Sequence, residues 1–293
     1  MPAPHTAYAH PAAHSNPPPL RLAHRLLSLV VRTNDTAVRE FARMQFEPAI
    51  DSSNQIYEHY AFIRAASDRI DVAFDGERLF EALIPQSQDG KAVAGFYAVR
   101  DCVTHAISRA NDCVIYGASV AVAGQGVLIL GPPGCGKTLT AIHLAALGGE
   151  LLGDEVACLT TCDMLDAVPR SLSIRADSFG SLPYASFRTP QYTPIGGATS
   201  AMYCVAAANC GVRQASSPVR LRFVLFIEDA APAGVRALVP NAAEILFARY
   251  RQRKTTAPSS SSASLLRGVR AFRAGKEHPA KIAERFMRVV RCG

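Results

Sequence analysis

Residues 127–149, VLILGPPGCGKTLTAIHLAALGG, constrain this chain more than any other stretch. Residues 127–130 are apolar, too few for a helix, and read as a buried strand. A glycine-rich turn follows, then Lys137-Thr138 and an apolar-periodic run that stops at Gly148-Gly149. Strand, GxxxxGK[ST] and helix in that order make the phosphate-binding P-loop, in which each fixed residue has a mechanical task. Gly131, Gly134 and Gly136 free the backbone so that successive N–H groups can converge on phosphate oxygens. The helix start adds its positive end and unpaired N–H donors. Lys137 is expected to reach the β- and γ-phosphates, and the Thr138 hydroxyl to ligate Mg²⁺. Pro132, Pro133, Cys135 and Leu139 complete the expected nucleotide cradle, with Cys135 contributing only its backbone N–H. Leu139, Ile142 and Leu147 are expected to face the sheet, with Gly148 as the left-handed C-terminal cap.

At 293 residues the chain can hold one large or two modest domains. Hydrophobic residues at 49% and charged residues at 19% describe a globular protein, and no apolar run is long enough to cross a bilayer. The first residues carry Pro and His where a secretory signal needs a basic start and an apolar core, so a cytoplasmic location is expected. Eight scattered cysteines suit a reducing compartment. Cys158, Cys162, Cys204 and Cys210 admit a zinc site, but without a CxxC turn they read as ordinary buried residues. The net charge of +7 is concentrated after residue 246, where twelve Lys or Arg face two Glu. A solvated basic face is the expectation there; nucleic-acid binding through that region is the lesser alternative, and a membrane is not an expected partner.

Along the chain, residues 1–19 are Pro- and His-rich without an apolar face and read as a disordered tail. Residues 20–112 read as a smaller N-terminal α+β lobe: RIDVAF at 69–74 alternates like a half-buried strand, Asp75-Gly76 signals a turn, and residues 101–110 suggest a helix. Residues 113–293 form the second domain. Residues 113–116 and 119–122 read as strands, with Gly124-Gln125-Gly126 as a tight turn, so that an antiparallel hairpin feeds the strand before the loop. ELLGDEV at 150–156 returns the chain along the sheet and places Asp154-Glu155 at a strand end, where at most one of the two acids can face the phosphates. Residues 171–200 read as a loop suited to substrate recognition. LRFVLFIED, residues 221–229, is a central strand whose terminal Asp229 is a second candidate for holding Mg²⁺. APSSSSAS, residues 257–264, reads as a mobile loop, followed by a last strand and a Pro-initiated amphipathic helix with Ile282, Phe286, Met287 and Val290 on its apolar side.

The words GQGVLILGPPGCGKT and ELLGDEV resemble the catalytic core of the HPr kinase/phosphorylase family and its PEP-carboxykinase-like relatives. The resemblance covers about forty-five residues, and two positions depart from it. Tyr116 stands where the bacterial members carry a His, and LSIRAD at 172–177 has Ser173 where their Glu-Ile-Arg-Gly word has Glu. Both departures point away from HPr itself as acceptor and toward divergent members such as the kinases encoded with lasso-peptide precursors. The resemblance implies an α/β fold with a PEP-carboxykinase-like P-loop core and a mixed sheet. It also implies an ATP- and Mg²⁺-dependent kinase acting on a serine of a peptide or small protein, in a homo-oligomer whose interface is not legible here. Asp154 then takes the place of the general base, Lys137 assists transfer, and Glu155 joins Thr138 at the metal. A P-loop ATPase or nucleotide-sensing module acting on a partner protein is the alternative, and it favours Asp229 over Asp154.

Overall fold

The computed structural model describes residues 17–24, 27–46, 49–50, 58–84, 90–110, 113–160, 163–168, 170–183, 194–195, 202–251 and 266–291. Most of the expected tail, the expected mobile loop and much of the expected recognition loop lie outside the described residues. The chain divides into two compact units, residues 1–106 with 195–199, and residues 107–194 with 200–293.

In the first unit the described elements are β1 (Leu20–His24), β2 (Leu27–Thr33), α1 (Thr36–Gln45), β3 (His59–Ala65), β4 (Arg69–Phe74), β5 (Glu77–Leu83) and α2 (Gly90–Ala110), which runs on past residue 106. The strands lie side by side in chain order. β2 and β3 are parallel, which requires a crossover, and α1 supplies it; the other pairs are antiparallel. Asp35 starts α1 by accepting from the Val38 N–H at 3.1 Å. Alternation sends Leu29, Val31, Ile63, Ile70, Val72 and Phe74 into the core under the helices. RIDVAF is β4 as read, and Asp75-Gly76 turns with φ of 49° and 86°. The helix expected over 101–110 begins eleven residues earlier, at Gly90.

The second unit contains β6 (Cys113–Tyr116), β7 (Ala118–Val122), β8 (Gln125–Leu130), α3 (Lys137–Ala146), β9 (Glu150–Gly153), β10 (Val156–Leu159), β11 (Met164–Asp166) and β12 (Leu172–Arg175). It continues with β13 (Pro194–Ile195), the second residue of which is counted in the first unit, β14 (Met202–Val205), β15 (Val219–Glu228), β16 (Val235–Ala237), α4 (Pro240–Arg251), β17 (Arg270–Gly275) and α5 (Pro279–Arg291). β15 is central, parallel to β8 on one side and β17 on the other, so three strand ends reach the same edge. β7 pairs antiparallel with β8 and with β9, while β11 joins the start of β15 and leads through β10 to β6. The sheet is buried on both faces, which accounts for the unbroken apolar runs of β8 and β15. Val127, Ile129, Phe223 and Leu225 meet α3 and α5; Leu128, Leu130, Val224 and Phe226 pack with Phe247 and Tyr250 of α4.

All four apolar residues expected on the last helix are buried, each worth about 2 kcal/mol, and Phe286 stacks edge-on against Phe223 and Phe272. Three expectations change. The hairpin feeding β8 is β7 alone, turning at Ala123-Gly124, because a single residue separates β6 from β7 and β6 pairs instead with β10. Leu147 is 38% exposed; Ala141, Ile142, Leu144 and Ala145 hold α3 to the sheet, and Gly148 follows with φ of 107°. Residues 172–175 of the expected loop are strand β12, paired antiparallel with β14.

Candidate functional site

The loop between β8 and α3 is pressed against the end of β15. A Cβ on Gly131 would lie 2.4 Å from the Ile227 carbonyl oxygen and 2.6 Å from Cys135 Sγ, so only glycine fits. Gly136 occupies the N-cap of α3 with φ of 95° and offers no side chain to the first-turn N–H groups. Those donors are therefore available to an anion. Pro132 and Pro133 have no N–H to give; the Pro132 carbonyl accepts from Cys135 N at 3.3 Å and closes the turn. Leu139 packs against the core, leaving its backbone as its only contribution to the loop.

Lys137 is 7% exposed. Its Nζ donates to the carbonyls of Gly131 at 3.0 Å and Pro132 at 2.9 Å, and lies 5.0 Å from the ring centre of Tyr116. β6 delivers that ring, since Tyr116 pairs with Val156 next to the β9–β10 turn. The position singled out as a departure from the kinase pattern thus supplies a cation–π contact to the lysine.

The β9–β10 turn is built from Asp154 and Glu155. Glu155 has φ of 60°, and Val156 N donates to the Asp154 carbonyl across it at 2.7 Å, a tight and sparsely populated three-residue turn. This geometry sends the two carboxylates to different partners. Asp154, 1% exposed, accepts from the Thr138 hydroxyl on Oδ1 at 2.8 Å and from Ser173 N on Oδ2 at 3.3 Å. Glu155 Oε2 pairs at 3.0 Å with Nη1 of Arg170, whose side chain is 1% exposed. Arg170 Nη2 also donates to Ser173 Oγ at 3.3 Å. Burial, and then the neighbouring Glu155 charge, raise the Asp154 carboxyl above the ordinary carboxylate range; Arg170 and the two hydrogen bonds oppose that rise.

Lys137, Thr138 and Asp154 are therefore gathered at one spot, while Glu155 turns to the arginine. Arg170 was not legible as the buried counter-charge, because its partner lies fifteen positions upstream and nothing local marks the pairing. Arg175, from the end of β12, stands near the loop, with Nη1 3.8 Å from where a Cβ on Gly134 would lie. Asp229, the second candidate, is 64% exposed and pairs with Lys276 at 3.5 Å; the buried acid of that strand is Glu228, held by Arg273 at 2.7 Å. Burial pushes the Cys135 thiol up, against the pull of Lys137, which keeps it protonated and unreactive. Among the described residues no group of three or more His, Cys, Asp or Glu is arranged to hold a metal. Among the same residues no helix is long and apolar enough to cross a membrane.

No family model and no curated protein matches the chain. Among solved structures it is similar to the Hpr(Ser) kinase/phosphatase from Coxiella burnetii, with a TM-score of 0.32 and 15% identity over 61% of this chain and 99% of that one. The likeness is one of fold and is distant.

Proposed function

We propose that the second unit is an Mg-ATP-dependent kinase that passes the γ-phosphoryl group to a hydroxyl, that of a serine on a peptide or small protein. The observation that carries the reading is the Thr138–Asp154 hydrogen bond at 2.8 Å, which sets a buried carboxylate against a glycine-rich helix start that also carries Lys137. The residues suit a nucleotide: uncapped N–H donors, a loop position that excludes any Cβ, and an ammonium held beside them. They also suit Mg²⁺, because the Thr138 hydroxyl and Asp154 are hard oxygen donors. When bound, the cation would neutralise phosphate charge.

The chain's own residues then divide the work. The loop amides and Lys137 hold the phosphates in line. Asp154 takes the proton of the attacking hydroxyl as the new O–P bond forms and the β–γ bridge breaks, while Ser173 N fixes the carboxylate plane. Arg170 neutralises Glu155, so that Asp154 can ionise in its buried setting; the metal role expected of Glu155 is not carried forward, because its carboxylate is turned to the arginine.

The purified chain, incubated with Mg²⁺, γ-labelled ATP and a panel of serine peptides, should yield labelled peptide. Lys137→Ala should abolish it. Asp154→Asn should bind a fluorescent ATP analogue but fail to transfer, and transfer at the native rate would remove the base assignment. Partner-stimulated phosphate release without a labelled acceptor would favour the ATPase reading, which the surface pairing of Asp229 with Lys276 does not support.

A further inference from the structure

The outer face of the five-stranded sheet takes no part in the proposed transfer. Ala61 and Ile63 of β3 point into the core, so their neighbours Tyr60 and Phe62 project from the opposite side, 38% and 41% exposed. Their backbone positions are about 7 Å apart along one middle strand. Register places Arg32 beside Phe62 on β2, its guanidinium 6.0 Å from the ring centre, and Arg64 one step further along β3, opposite Asp71. Arg69 and Arg78 occupy the same face further out. The acids on it, Asp71 and Glu81, both pair with Arg78, and Asp71 also lies 3.8 Å from Arg69. Arg21 of β1, beside Val30 and so on the side of Tyr60, makes five arginines that face two carboxylates around two exposed rings.

A protein partner also draws on aromatic and arginine side chains, but sets them around a contiguous core depleted of charge. Here the rings are interleaved with guanidinium groups, which suits a ligand that offers flat π surfaces and anions in alternation. We propose that this sheet face binds single-stranded nucleic acid, with Tyr60 and Phe62 stacking on bases and Arg32 and Arg64 on the phosphates. A duplex keeps its bases stacked on one another and cannot offer them to the rings. The site is distinct from the basic region after residue 246, where the sequence concentrates its charge.

The test uses the full chain and fluorescein-labelled twelve-nucleotide oligo-U, oligo-dT and a duplex of equal length, followed by anisotropy across a salt series. Single strands should bind more tightly than the duplex, with the logarithm of affinity falling by about 0.7 per decade of salt for each phosphate contact. Tyr60→Ala and Phe62→Ala should each weaken binding about fivefold or more without changing that slope, and Tyr60→Phe should restore it. Arg32→Ala with Arg64→Ala should flatten the slope. Lys137→Ala should bind the oligonucleotide as the native chain does, which separates this site from the phosphate loop. Both rings are exposed, and circular dichroism melts serve to check that each variant folds. Absence of binding at low salt, equal affinity for the duplex, or ring variants indistinguishable from the native chain would overturn the proposal. So would phosphatidylserine vesicles that bind through these residues where oligonucleotides do not.

Discussion

Arg170→Met tests the electrostatic design of the site. The native side chain is 1% exposed and sits 3.0 Å from Glu155, itself 14% exposed, with Asp154 adjacent and 1% exposed. Methionine keeps much of the length and packing but leaves two neighbouring carboxylates without a counter-charge. Breaking a buried pair from one side costs about 3–5 kcal/mol, whereas replacing both partners by neutral groups is close to neutral or mildly stabilising. In a unit of about 180 residues this corresponds to a fall in melting temperature of about 6–20 °C. Arg170→Met combined with Glu155→Gln should recover most of it. The assay is thermal unfolding followed by far-ultraviolet circular dichroism and tyrosine fluorescence, since the chain contains no Trp. A single variant within about 1 kcal/mol of the native chain at neutral pH, or a double variant no better than the single one, would refute the reasoning.

The same site and core carry further expected outcomes. The Asp154 carboxyl titrates above its unfolded value, so its contribution to stability is complete below that unfolded value and is lost as pH rises through the folded one. Asp154→Asn, measured in EDTA, should therefore melt above the native chain at pH 8, with the gap closing toward pH 4. Gly131→Ala drives a Cβ to 2.4 Å from the Ile227 carbonyl and should cost about 1–3 kcal/mol in chemical denaturation, along with loss of nucleotide binding. Phe286→Ala empties the space between Phe223 and Phe272 and should cost about 3–5 kcal/mol by the same measurement. The Cys135 thiol, 3% exposed and raised by burial, should react with a thiol reagent only on unfolding, at neutral pH and with the native circular dichroism spectrum intact beforehand.

What the amino-acid order made legible was local. β8, its glycine loop and α3 follow from composition and spacing, and the stripe of α5 names its own buried face. The partnering of β6 with β10 was not legible, because it joins segments about forty residues apart and no residue in β6 marks its partner. The first half of α2 escaped for a different reason. GKAVAGFYAVR carries apolar and small residues on every side, so no single stripe announces a helix, and the tight approach of Gly95 to Val38 becomes visible only once α1 is packed there. In the site, the spacing of Lys137, Thr138 and Asp154 could be read directly, whereas the direction of each acid could not. That direction is a property of one backbone dihedral at Glu155.

The left-handed residue at that bend makes the order of the two acids matter. A carboxylate one bond longer at position 154 would overrun the Thr138 hydroxyl, and one bond shorter at 155 would fall short of the guanidinium. The dipeptide therefore behaves as a keyed connector: reversing its letters conserves charge, composition and hydropathy while disconnecting both ends.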